Sequence, residues 1–263
     1  FLMLWIVSGF RAFSVGVDTK EYVGIFNNIG DLALLKDRFE IGFLRYTEIL
    51  HGISANAGIL LMVSSAICIG IACLFTEAFS KNPVLSMLLY ILLGDYFSQM
   101  NAMRQAIAVS LMMISFMVLL KTDGGRQRFI SALLILLAAA FHTIAIVGVI
   151  PWILVVLSNS DKKAFHSFTA SKMLKITLLI SGIAFVVFPI IMVVAAKLLP
   201  PYYAAYLEGE WSDSNYNASL FNTLIQLAFA IVGVIVFKNK ELNKEQRFAA
   251  IMLSLTIFFE VLS

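Results

Sequence analysis

Long apolar stretches separated by short polar loops dominate the sequence, and two of the stretches carry polar side chains near their centres. Hydrophobic residues make up 60% of the 263 residues and charged residues only 13%, whereas soluble domains average about 45–50% and about 25%. The sequence therefore predicts an all-α, polytopic integral membrane bundle that forms a single transmembrane domain over residues 1–263. Because both ends are typical of transmembrane helices, we expect the chain to be a fragment cut within helices.

Charge placement predicts the topology of the apolar segments. The segments long enough to cross or nearly cross a bilayer are 53–76, 83–98, 103–120, 129–157, 176–199 and 219–237. Twelve of the 19 Lys and Arg residues lie in connections near 77–82, 121–128, 158–175 and 238–247. Since short basic loops stay in the cytoplasm, the outer segment 11–52 and the outer loop 200–218 are predicted to lie outside.

The stretch 129–157 lies between two basic loops, so it has to enter and leave the membrane on the same side. We therefore predict a hairpin of two short arms that turns near His142; a single tilted helix is the alternative. The same reasoning predicts an outer turn near Arg104 within 83–120. Broken or re-entrant helices at membrane depth are tolerated where protein or a cavity surrounds them, so both turns are expected at an outward-facing cavity.

Arg104 is the first candidate for function, because an arginine at the centre of a membrane helix costs about 2.5–3.5 kcal/mol on insertion scales. One interpretation is an arginine that extends from a helix end to the interface. The other is a guanidinium that binds phosphate bidentately. We favour the second, because Asn101 and Gln105 are predicted to share its helical face and to supply further donors.

His142 has two interpretations of equal weight. It is either a hydrogen-bonded histidine of the helical core or a functional imidazole at the same depth as Arg104. A neutral imidazole can act as a base or donor, and an imidazolium can help to hold an anion.

The outer segment contributes two candidate carboxylates, Asp18 and Glu40. Asp18 has two interpretations. It either caps a helix that carries Tyr22 or, like Glu40, accepts a proton from a sugar hydroxyl above the cavity. An interfacial helix is predicted after Glu40, with Ile41, Leu44, Tyr46 and Ile49 on its membrane-facing side. In the outer loop, aromatic residues form either an interfacial belt or a surface that stacks on sugar rings; these are Tyr202, Tyr203, Tyr206 and Trp211.

Several classes of site are not predicted. No Walker A loop, dinucleotide fingerprint, HExxH motif or zinc spacing occurs, and no surface pattern of the nucleic-acid-binding kind is present. Cys68 and Cys73 are interpreted as small core residues. We therefore expect no metal, no cofactor and no nucleic-acid partner.

Several short motifs follow one another in the first 155 residues. In chain order they are Arg11, Gly16-x-Asp18-x-x-x-Tyr22-x-x-x-Phe26, Glu40-x-Gly42-Phe43, Met103-Arg104-Gln105-x-Ile-Ala108 and Ala140-Phe141-His142-x-x-Ala145. Their order and spacing resemble the EpsG-like branch of the Wzy polysaccharide polymerases. The resemblance extends from residue 1 to about 155 and departs from the expected pattern at Thr19, where an aromatic residue is expected.

The resemblance implies a glycosyltransferase of the bacterial cytoplasmic (inner) membrane. Such enzymes join polyprenyl-diphosphate-linked oligosaccharide repeat units at the outer face for O-antigen, capsule or exopolysaccharide, with membrane lipid, a chain-length regulator and a flippase as partners. It implies Arg104 at the diphosphate, His142 as second contact or base, and Asp18 or Glu40 as base or sugar contact. Arg11, Tyr22, Asn101 and Gln105 are the implied substrate-binding residues. The alternatives are a flippase of lipid-linked sugars, a polysaccharide ligase and a non-catalytic assembly subunit.

Overall fold

The computed structural model describes most of the first 158 residues and a helix near the end of the chain. The described ranges are 1–30, 38–121, 124–158 and 243–262, together with positions 35, 179, 225, 228–229, 231–232 and 235. Apart from these single positions, the predicted segments 176–199 and 219–237 lie outside the described ranges, as do 159–175, 238–242 and the outer loop 200–218 with its four aromatic residues.

Within the described ranges every regular element is helical, as the sequence predicts. The elements are α1 (Leu2–Gly9), α2 (Thr19–Asn27), α3 (Ile41–Ile53), α4 (Gly58–Phe79), α5 (Pro83–Leu92), α6 (Asp95–Asn101), α7 (Met103–Lys121), α8 (Gly125–Phe141), a 3-10 helix (Thr143–Gly148), α9 (Val149–Ser158) and α10 (Lys244–Leu262). The chain divides into one unit over Phe1–Trp152 and a second over Ile153–Ser263. All candidate site residues belong to the first unit.

Two of the described helices, α4 and α7, are long and apolar enough to cross a membrane. Their 22 and 19 residues give lengths of about 33 Å and 28 Å, close to the thickness of the hydrocarbon layer. The start predicted for α4 is wrong by five residues. Ser54 and Asn56 accept hydrogen bonds from the backbone N–H groups of Asn56 and Gly58, so this segment forms a turn before the helix begins.

The predicted span 83–98 is wrong, because it contains a helix break. Helix α5 begins with Pro83 in its first turn and with the Asn82 side chain accepting a hydrogen bond from Leu85 N–H, a common N-terminal arrangement. It ends before Gly94, whose φ of +93° is a left-handed conformation that glycine adopts at low cost. The chain then continues as the short helix α6.

A second break, at Ala102, separates α6 from α7. Asn101 and Arg104 therefore lie on different helices, and the predicted continuous polar face from Asn101 to Gln105 is wrong. The C-terminal carbonyls of a helix need partners outside it, and here the outer segment supplies them. The Met100 carbonyl accepts hydrogen bonds from Arg11 Nη2 at 3.1 Å and Thr19 Oγ1 at 3.3 Å.

The stretch 129–157 is not one helix, because α8 ends at Phe141 and His142 has extended backbone angles. The chain then reverses. Trp152 Nε1 donates to Ser131 Oγ at 2.7 Å, and Gly148 lies against Ile135 of α8. These contacts hold the two sides of the break at His142 together, so the alternative of a single tilted helix is wrong. The re-entrant course of the hairpin in a membrane stays a prediction.

Helix α3 is packed more deeply than predicted. Leu44 is fully buried, and Tyr46 forms a 2.8 Å hydrogen bond with Ser64 of α4 and an edge contact with Phe141. The prediction that Leu44 and Tyr46 face the membrane is therefore wrong. The exposed apolar side chains of this helix are Ile41, Ile49 and Ile53, as the prediction for Ile41 and Ile49 requires.

Gly42 allows α3 to approach the end of α8. A Cβ atom at this position would lie 2.5 Å from the carbonyl oxygen of Ala140, which is backbone and cannot rotate away. We expect Gly42→Ala to destabilise the protein by about 1–3 kcal/mol through overpacking, measured as a lower Tm of the detergent-solubilised protein.

Gly52→Ala is the matched control in the same helix. A Cβ atom at Gly52 meets no atom within 4 Å, and alanine is favoured over glycine in a helix by about 0.5–1 kcal/mol. An equal Tm for the Gly42→Ala protein and the wild type would contradict the close approach of α3 and α8.

Candidate functional site

Glu40 contacts residues at two helix breaks. Arg104 follows the break before α7, and His142 lies at the break after α8. Glu40 itself precedes α3 with extended backbone angles, and its side chain does not cap that helix. One carboxylate oxygen, Oε2, pairs with Arg104 Nη1 in the first turn of α7. The other, Oε1, accepts a hydrogen bond of 3.1 Å from Thr143 N–H and lies 3.4 Å from His142 Nδ1. The predicted candidates Arg104, His142 and Glu40 therefore form one cluster.

Aromatic residues hold the guanidinium of Arg104 on its other sides. Its central carbon lies 4.9 Å from the centre of the Phe39 ring, within the range of a cation–π interaction. The guanidinium of Arg104 also lies close enough to Tyr22 of α2 to oppose the rise in the pKa of that phenol. Tyr22 in turn packs edge-on against Phe43 of α3, with ring centres 5.5 Å apart. Helices α2, α3 and α7 together orient this arginine.

The charges of the cluster favour an ionised Glu40. Partial burial opposes ionisation, but the backbone N–H groups of Glu40 and Thr143 and the guanidinium of Arg104 together hold the pKa of Glu40 below its ordinary value. For Tyr22, burial raises the pKa, and Arg104 opposes that shift. At neutral pH Glu40 is therefore a carboxylate and Tyr22 a neutral phenol.

Two buried nitrogen atoms of the cluster, Arg104 Nε and His142 Nδ1, have no hydrogen-bond partner within the described part of the chain. Because His142 Nδ1 already lies beside Glu40, Arg104 Nε is the nitrogen that a ligand would use. Both side chains are 23% exposed, and Glu40 is 17% exposed. A guanidinium that already pairs with a carboxylate through one nitrogen can still present a second edge to an anion. The arrangement suits a phosphate-containing ligand better than a neutral one.

Asp18 lies close to the cluster without joining it. It precedes α2 but makes no capping hydrogen bond through its side chain, so the capping interpretation is wrong. Its charge acts on Tyr22 and raises the pKa of that phenol. Asp18 is therefore a half-buried carboxylate beside the residue that contacts Arg104.

The other candidates have contacts away from Arg104. Arg11 Nη1 donates to the Ser8 carbonyl at 2.7 Å, and its Nη2 to the Met100 carbonyl. Asn101 Oδ1 accepts a 2.9 Å hydrogen bond from Val17 N–H. Gln105 lines a cavity bounded by α4, α5, α6 and α7. In this structure Arg11 and Asn101 connect the outer segment to α6.

Sequence reasoning did not assign roles to Phe39, Gly42 or Thr143. Phe39 lies under the guanidinium, Gly42 permits the contact with Ala140, and Thr143 supplies a backbone donor to Glu40. The first two residues adjoin or belong to a quoted motif, so position in the sequence was a usable signal. Nothing in the residue type of Thr143 indicates a backbone contact.

The pH dependence of stability tests the state of Glu40. Because its pKa is lower in the folded protein, the unfolded chain binds the proton more readily. The stabilisation is therefore present above the ordinary glutamate range, about pH 4.3, and is lost as the pH falls through the folded pKa. We expect Glu40→Gln to lower the Tm at pH 7 and to weaken the fall in Tm on acidification.

Glu48→Gln is the control for this measurement. Glu48 pairs with Arg45 on the exposed face of α3, and exposed pairs contribute about 0–1 kcal/mol. Equal Tm profiles for the Glu40→Gln and Glu48→Gln proteins would show that the buried pair does not stabilise the fold.

Comparison with known proteins gives one match. Residues 1–263 match the EpsG family, so the similarity extends past residue 155, where the motif resemblance ended. No curated protein and no solved structure matches the chain significantly. The chain, with its helical fold and its two helices of membrane-spanning length, belongs to the EpsG family, a Wzy-like family of polysaccharide polymerases.

Proposed function

We propose that this protein is a glycosyltransferase of the bacterial cytoplasmic membrane that polymerises oligosaccharide repeat units carried on a polyprenyl diphosphate. The observation that carries the proposal is the cluster of Arg104, Glu40 and His142 at two helix breaks in an EpsG-family chain. Helices α4 and α7 would span the membrane, and the turn at His142 would lie below the outer surface. With this topology the cluster would lie where the lipid diphosphate of a repeat unit is accessible.

The reaction exchanges one bond at the anomeric carbon of the donor sugar. A hydroxyl oxygen of the acceptor unit forms the new glycosidic bond, while the bond from the anomeric carbon to the diphosphate oxygen breaks. The electron pair of that bond leaves with the lipid diphosphate, and the hydroxyl proton passes to a base. Negative charge therefore develops on the departing diphosphate oxygen in the transition state, and a positive group close to that oxygen stabilises it.

Arg104 is suited to the diphosphate. Glu40 and Phe39 fix the plane of its guanidinium, so little reorganisation accompanies the binding of an anion. The unpaired Nε can donate to a phosphate oxygen together with a second nitrogen of the guanidinium. In this scheme Glu40 positions Arg104, because a carboxylate with a lowered pKa is a weak base.

His142 is the base in this scheme. A base in enzymes is commonly oriented by a third group, and Glu40 lies 3.4 Å from His142 Nδ1. Asp18, which makes no capping hydrogen bond, is assigned to a sugar hydroxyl. Tyr22 interacts electrostatically with both Asp18 and Arg104 and is assigned to the support of the diphosphate contact.

The test of Arg104 uses purified protein and a lipid-diphosphate-linked repeat unit. We expect the wild type to yield a ladder of longer chains. Loss of one electrostatic contact to the transition state costs about 10²–10³-fold in kcat, so Arg104→Ala should reduce the ladder by that factor. Arg104→Lys should retain part of the activity, because lysine keeps the charge but not the planar fork.

Arg45→Ala is the matched control for this assay, since Arg45 is an exposed arginine of α3 that pairs with Glu48. An unchanged ladder with Arg104→Ala would exclude the assignment of Arg104. Movement of the lipid-linked unit across vesicles without a ladder would indicate a flippase. Transfer of finished chains to a different acceptor would indicate a ligase.

The assignment of His142 is tested by His142→Gln in the same assay. A positioned base contributes about 10²–10⁴-fold, so we expect a rate loss in this range with little change in the KM for the donor. His51→Gln is the control, because His51 packs against Phe26 with ring centres 5.0 Å apart. A higher KM with an unchanged kcat would instead assign His142 to donor binding.

A further inference from the structure

A cavity of about 290 Å³ lies between α4, α5, α6 and α7. It is distinct from the Arg104 cluster, although both adjoin the first turn of α7. Its polar lining residues are Tyr90, Asp95, Ser98, Gln99, Gln105 and Ser110.

Gln99 is the residue that points to a ligand. Its side chain is only 7% exposed, and neither amide atom has a hydrogen-bond partner among the described residues. An unpaired buried polar group costs about 1–3 kcal/mol, so buried amides are normally paired. Gln99 is among the residues that line the cavity, so a turn of its buried side chain towards the cavity would let a bound molecule supply both a donor and an acceptor.

The lining chemistry identifies the class of that molecule. Among the described residues that line the cavity, Asp95 is the only formally charged one, so an anion such as a diphosphate is disfavoured. No group of three or more potential metal ligands occurs among the described residues. A carboxylate, two amides and two hydroxyls can pair with the hydroxyl groups of a sugar, and Tyr90 offers an apolar ring face.

The size of the cavity limits the ligand further. Small-molecule pockets span about 300–1,000 Å³, so 290 Å³ lies at the lower end of the range. It suits one sugar ring better than a whole repeat unit or a polyprenyl tail.

The cavity is placed next to the proposed reaction centre. Gln105, which lines it, directly follows Arg104, which pairs with Glu40. Successive residues of a helix differ in direction by about 100°, so the two side chains serve different sides of α7. We propose that the cavity is a binding subsite for one uncharged sugar residue of a repeat unit, an inference that rests on the proposed function.

Direct binding tests the subsite independently of catalysis. The probe is the oligosaccharide released by mild acid from the lipid-linked repeat units of the producing strain, titrated calorimetrically into the full chain in nanodiscs. We expect Gln99→Leu to raise the Kd about tenfold, in line with the loss of a hydrogen bond at each amide atom. Arg104→Ala should bind this diphosphate-free probe as the wild type does.

Two further variants keep the test decisive. Gln105→Leu, at the exposed side of the cavity, should also raise the Kd and serves if Gln99→Leu fails to fold. Gln127→Leu is the control, because Gln127 lies in the first turn of α8 and does not line the cavity.

The outcomes separate this proposal from the proposed function. Absence of binding to the wild type, or wild-type Kd values for both Gln99→Leu and Gln105→Leu, would overturn the subsite. Binding that depends on Gln99 in a protein that makes no ladder would support the subsite and contradict the polymerase.

Discussion

The carboxylate of Glu40 is the interaction on which the arrangement of the site depends. It meets the guanidinium of Arg104 through one oxygen and the backbone of Thr143 through the other. One side chain thereby joins the start of α7 to the break after α8. Because Arg104 sits in the first turn of a helix, the positive end of the helix dipole adds to the attraction. Without this carboxylate, the guanidinium of Arg104 and the backbone N–H of Thr143 would both lose their acceptor.

The site also depends on the helix breaks. The break after α6 leaves a backbone carbonyl free, and side chains from elsewhere in the chain donate hydrogen bonds to it. The end of α6 receives hydrogen bonds at Met100 from Arg11 and Thr19. Gly16 has a φ of +91°, and a Cβ atom there would lie within 3 Å of Thr19 Oγ1 and Asn101 Oδ1. The loop before α2 therefore fits only around a glycine. In this way the outer segment fixes the ends of the helices that carry the site.

The two sides of α7 differ in the charge of their surroundings. Arg104 faces a carboxylate, an aromatic ring and a phenol, an environment that orients a cation towards an anion. Gln105 faces a cavity whose lining carries a carboxylate and no cation. The proposed diphosphate and sugar positions are thus separated by the charge of their surroundings. Arg104 and Gln105, which face these two positions, both lie in the first turn of α7.

The sequence by itself determined the helical class, the positions of α4 and α7 and the presence of a turn at His142. These depend on apolar length and on the cost of burying charge, which composition and spacing express directly. It also selected Arg104, His142 and Glu40 as candidates. It did not reveal the break at Gly94, because a short apolar run with one glycine is compatible with a continuous helix.

Only the tertiary structure decided which of these residues meet. Glu40 lies 64 positions from Arg104 and 103 from Thr143 in the chain, and no local pattern encodes a contact over such a separation. The same holds for Gly42 against Ala140 and for the unpaired amide of Gln99. Local sequence specifies which segments are helical. The packing of helices from distant parts of the chain specifies which side chains share a site.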